Sequence, residues 1–158
     1  MSQFGLPLPS DFDDTAFRRR AILRARTFDP ELERNRAEEK IASLNNAQRE
    51  FFDAVAEEVR AVDGDPRARV FFLDGPGGSG KTFLYLTLLH FVHGLGEIAL
   101  SCAFSGIAST LLPGGVTSHA LFGMPLNVTS DTATSNIKAQ EVRAELLRLA
   151  KIILWDEA

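Results

Sequence analysis

A chain of 158 residues, 45% hydrophobic and 24% charged, has the make-up of one ordinary folded domain and is too short for two of usual size. Its formal net charge of −4 excludes a generally basic surface laid on a phosphate backbone, while leaving a local groove open. The single cysteine, Cys102, excludes an internal disulfide, and the apolar run Ile98-Ala-Leu-Ser-Cys-Ala-Phe104 around it predicts a small core residue in a reducing compartment.

No stretch reaches the roughly 18–20 apolar residues of a membrane span, so no membrane partner is expected. The N-terminus, Met-Ser-Gln-Phe-Gly-Leu-Pro-Leu-Pro, lacks the basic start and apolar core of a secretory signal. Residues 1–13 read as an irregular lead-in. Residues 14–42 are rich in Arg, Glu and Ala and predict one or two charged helices, interrupted at Asp29-Pro30. Arg18-Arg-Arg20 with Arg24 and Arg26 fits a solvated helix face or a nuclear-localisation cluster.

A helix begins near Leu44-Asn-Asn46. Its apolar positions Phe51, Phe52, Val55 and Val59 recur at helical spacing. Asp63-Gly-Asp-Pro66 then breaks the chain. Arg69-Val-Phe-Phe-Leu-Asp74 is short, apolar and β-favouring, which predicts a buried strand. Gly75-Pro-Gly-Gly-Ser-Gly-Lys81-Thr82 follows and fits the P-loop pattern Gly-x-x-x-x-Gly-Lys-Ser/Thr at every fixed position.

Each part of that loop has a task on a nucleoside triphosphate. Gly75, Pro76, Gly77, Gly78, Ser79 and Gly80 form a turn whose backbone N–H groups can close on phosphate oxygens. Lys81 carries charge to the β- and γ-phosphates, and the Thr82 hydroxyl suits Mg²⁺. Phe83 to His93 predicts a helix ending near Gly94, whose dipole would favour the anion. ATP and Mg²⁺ are the expected ligands.

Further on, a strand is predicted near 97–104, and a short helix from Ser105-Gly106 to Leu112. A turn is read at Pro113-Gly-Gly115, renewed structure over Thr117–Phe122, a polar loop over 125–136 and a helix over Ile137–Leu149. Phe104 and Phe122 read as core residues, with platforms for stacked bases as the alternative. Ile152-Ile-Leu-Trp155 then delivers Asp156-Glu157 to a strand end, the form of a Walker B motif. Asp156 suits Mg²⁺, and Glu157 suits a general base acting on water. Alternating strands and helices predict an α/β fold with a mainly parallel sheet.

In this order the elements resemble a superfamily 1 DNA helicase of the Pif type, and more closely the helicase segment of Helitron-like transposable elements. The resemblance runs from Leu44 to Ala158 and rests on four blocks. Leu44-Asn-Asn-Ala-Gln48 resembles the adenine-reading segment, with Gln48 on the base. Gly75–Thr82 is the Walker A. Ala103-Phe-Ser-Gly-Ile-Ala-Ser109, with Leu112-Pro-Gly-Gly-Val-Thr-Ser-His-Ala-Leu-Phe122, resembles motif Ia, which lies along single-stranded DNA. Ile153-Leu-Trp-Asp-Glu-Ala158 is the Walker B.

Motif Ia separates this family from kinases, GTPases and transporters that share a P-loop. A small-molecule kinase would leave it unexplained. Ser105 stands where the family usually has threonine, and Val116 and Ala120 stand where polar or basic residues are common.

The resemblance implies a P-loop NTPase (RecA-like) fold, with residues 1–43 as a charged helical arm and 44–158 as an incomplete first motor domain. It also implies ATP-driven 5′-to-3′ unwinding in DNA repair and recombination, on single-stranded DNA and duplex junctions. Ser105, Gly106 and His119 are the expected DNA contacts; His119 fits a structural hydrogen bond equally well. A nuclear location is expected, with the mitochondrion as the alternative.

A second RecA-like domain, an arginine acting from it and a strand between the P-loop and Walker B strands belong to the family and are missing from this sequence. Without them the expectation is a fragment of a helicase, or a remnant that at best binds nucleotide, in either case marginal in stability.

Overall fold

The computed structural model describes residues 27–61, 70–125 and 134–157. The Arg18–Arg26 cluster and most of the polar loop therefore lie outside the described residues. Helix α1 spans Pro30–Ala42 and starts as its sequence dictates. Pro30 sits at the first helical position, and the Asp29 carboxylate accepts from the amides of Glu31 at 3.0 Å and Leu32 at 3.3 Å.

Helix α2, Asn46–Arg60, opens with a reciprocal capping box. The Asn45 side chain accepts from the Gln48 amide, and the Gln48 side chain accepts from the Asn45 amide. Its apolar stripe, Phe52, Val55, Ala56 and Val59, is buried. Helix α3, Lys81–Gly94, is apolar on nearly every side because neighbours cover it all round. Leu84, Leu88, Leu89 and Val92 of α3 meet the α2 stripe, and Phe52 meets Phe91 edge-on at 5.3 Å.

Three parallel strands form the sheet in the order β2-β1-β3: β1 Ile98–Ala103, β2 Val116–Thr117 and β3 Ala150–Asp156. Short helices α4, Gly106–Ser109, and α5, Ser118–Phe122, flank β2, and α6, Val142–Leu149, leads into β3. Cys102 pairs with Trp155 and Ala103 with Asp156, so β1 and β3 finish side by side. This is an α/β architecture with a small parallel sheet between helices, a partial RecA-like P-loop fold.

Gly115 is the turn residue that sequence alone could not explain. A Cβ there would overlap the Ser109 carbonyl oxygen, so only glycine lets the chain return beside α4 to form β2.

Three expectations need correction. Residues 70–74 form no regular element and pair with no strand among the described residues. Val70 is 90% and Phe72 84% exposed, because β3 faces this segment across a cleft of about 960 Å³ instead of lying against it. A strand exists only with a neighbour to receive its hydrogen bonds.

The helix expected over Ile137–Leu149 starts only at Val142, since residues 139–141 turn first and Arg148 reaches back to the Ala139 carbonyl at 3.0 Å. The helix expected from Ser105-Gly106 to Leu112 ends after Ser109 in turns.

Candidate functional site

The P-loop closes on itself. Gly80 holds φ 84°, and a Cβ on it would come within 2.5 Å of Gln48 Nε2, so a side chain there is barred twice. As the residue before α3 it offers no side-chain cap, which leaves the amides of the first turn free for an anion. Lys81 Nζ folds back on the carbonyls of Gly75, at 2.5 Å, and Pro76, at 3.1 Å. Space opens beside Gly77 and Gly78. Thr82 is half-buried at the head of α3.

Gln48 ties α2 to this loop. Its Nε2 donates to the carbonyls of Ser79 and Gly80, each at 3.4 Å, while its Oε1 is taken by the Asn45 amide. The residue expected on an adenine base is thus engaged with the P-loop backbone.

Lys81, Tyr85, Asp156 and Glu157 all line the cleft between residues 70–74 and β3. Asp156 reaches it because β3 is a parallel strand ending there. Tyr85 was not singled out from the sequence. Burial, and then the charge of Asp156, push its phenol above the usual range. A usable signal existed: Tyr85 lies four residues after Lys81, on the same face of an otherwise apolar helix.

Glu157 has a left-handed backbone, φ 54°, and is the one non-glycine residue with positive φ among the described residues. Such a geometry costs about 1–3 kcal/mol and persists only where neighbours enforce it. Its amide donates to Asp156 Oδ1 at 3.1 Å.

The motif Ia block lies past the carboxyl end of β1. Ser105 caps α4 through the Ala108 amide at 3.1 Å, and Gly106 is exposed. His119 is half-buried on α5 and meets Phe104 edge-on at 5.7 Å. The expectation that Phe104 is a core residue fails: it is 62% exposed, because the strand ends at Ala103 and turns its next side chain outward. Phe122 is half-buried against Trp155, with ring centroids 5.2 Å apart. Cys102 is fully buried, as expected.

The P-loop residues, Gln48, Asp156 and Glu157 therefore gather at one end of the sheet, with Ser105, Gly106 and His119 beside them on the β1 side. The family model for PIF1-like helicases matches residues 43–158. The chain belongs to the PIF1-like helicase family. No curated protein matches it. No helix among the described residues is long and apolar enough to cross a membrane.

Proposed function

We propose that this chain supplies the nucleotide-binding part of an ATP-dependent DNA helicase that moves 5′-to-3′ along single-stranded DNA and opens duplex junctions in repair and recombination. Membership of the PIF1-like family supports the helicase class. The observation that carries the ATPase reading is the convergence of Lys81, Asp156 and Glu157 on one cleft at the carboxyl end of β3.

The donor set fits Mg²⁺ bound together with a triphosphate. Thr82 offers a hydroxyl and Asp156 a carboxylate, while no group of three His, Cys, Asp or Glu able to hold a metal occurs among the described residues. Mg²⁺ typically takes one or two carboxylates plus phosphate oxygens and keeps several waters. When bound, it neutralises charge on the phosphates.

The chain's own groups then have defined tasks. Lys81 leaves the Gly75 and Pro76 carbonyls for the phosphates, exchanging neutral acceptors for anionic ones. The α3 amides and dipole hold the same oxygens. Glu157 orients a water and accepts its proton as the water attacks. Gly106 and His119 are the proposed contacts to the DNA strand, and the Ser105 hydroxyl is engaged with the Ala108 amide and Glu157.

Lys81→Ala should abolish ATP turnover. Glu157→Gln should keep ATP binding and lose turnover. Normal turnover in Glu157→Gln overturns the base assignment.

A further inference from the structure

Ser105 comes from the block aligned with DNA contact, yet its hydroxyl points elsewhere. Its Oγ accepts from the Ala108 amide at 3.1 Å and donates to Glu157 Oε2 at 3.4 Å. Among the described residues this is the one side-chain hydrogen bond to that carboxylate. The approach follows from the sheet: Ala103 and Asp156 are register partners, so the chain leaves β1 and β3 at the same level. Glu157 then turns left-handed, at φ 54°, instead of continuing outward.

We propose that Ser105 is a positioning residue for ATP hydrolysis, holding the Glu157 carboxylate over the cleft. The proposal rests on the reading of Glu157 as general base. An exposed glutamate on a strand end has many rotamers, and a base works only from hydrogen-bond reach of its water. A donor fixed by the α4 cap narrows that choice. The 3.4 Å separation is long, and such contacts typically tighten when substrate closes the site. A serine or a threonine meets the need equally, since both carry a hydroxyl on the same atom.

The test is steady-state ATP turnover of the full chain on single-stranded DNA. Ser105→Ala should lower kcat about tenfold while KM stays within about twofold. Ser105→Thr should restore kcat. Ser105→Asp keeps an oxygen for the Ala108 amide but cannot donate to a carboxylate, so it should lose kcat as alanine does. In single turnover, Ser105→Ala placed on Glu157→Gln should cost less than about twofold more, because the two groups act as a unit.

A kcat loss confined to alanine, with aspartate active, assigns Ser105 to the cap alone and overturns the proposal. So does an undiminished loss on the Glu157→Gln background, or a change in KM only. Normal turnover in Glu157→Gln alone removes the underlying base reading instead, whatever Ser105 does.

Discussion

His90 Nδ1 lies 2.6 Å from Glu33 Oε2, joining the charged helix α1 to the P-loop helix α3 beneath the surface. Glu33 is 3% exposed. Arg36 holds its other oxygen at 2.9 Å, and His93 Nδ1 stands 3.7 Å away with Phe28 stacked on its ring. Arg34 donates to the Gly94 carbonyl at 3.2 Å, and Lys40 sits over the Phe83 ring. Breaking one partner of a buried ionic cluster strands the others. Glu33→Ala should therefore cost about 3 kcal/mol, read from chemical denaturation.

The same cluster makes stability depend on pH. Burial lowers the His93 pKa and outweighs the opposing charge of Glu33, while Nε2 is buried without a partner among the described residues. Burial alone would raise Glu33, but the hydrogen bond and charge of His90, with Arg36 and His93, leave it lowered. In both groups the folded state releases protons more readily than the unfolded chain. Stability is then fully present above each unfolded value, about 6.5 for His93 and 4.5 for Glu33, and is lost as pH falls below it. Tm should drop as pH falls below about 6.5, and drop further below about 4.5. His93→Gln should flatten the first part of that curve.

Gln48→Ala should weaken nucleotide binding about tenfold without unfolding the chain. It removes the amide that ties α2 to the Ser79 and Gly80 carbonyls, and half of the capping box. Titration with a slowly hydrolysed ATP analogue reads the change. Gln48→Glu keeps the acceptor for Asn45 but not the donor, so it should lose affinity too.

Phe104→Ala should leave Tm unchanged and reduce affinity for single-stranded DNA about tenfold, measured by fluorescence anisotropy. An aromatic ring 62% exposed beside His119 contributes little to the core, and one base stacked on such a ring is worth about 1–3 kcal/mol.

Cys102 should resist thiol reagents at neutral pH. Burial pushes its thiol up to about 11, and it is 0% exposed. Labelling should follow global unfolding, so its rate against denaturant gives the stability of the sheet.

Elements that carry their own signals were legible in the residues alone. α2, α3, β1 and β3 combine strong apolar pattern with recognisable starts, and each lies within a few residues of expectation. Residues 70–74 misled because β-propensity reports side-chain type, while a strand also needs a neighbour. Glu33, His90 and His93 escaped notice because 57 residues separate Glu33 from His90, and nothing local marks them as partners. The contact between Ser105 and Glu157 has the same origin, a register known only once the strands are paired.

Helix α3 carries Lys81 at its first residue and His93 near its last, 14 residues in a single stiff rod about 21 Å long. One end carries the P-loop lysine; the other is clamped by α1. Nothing along it bends easily, since no proline interrupts it. Any tug on α1 must therefore shift the lysine as part of the same rigid body, and the charged helix ahead of the P-loop becomes a handle on Lys81.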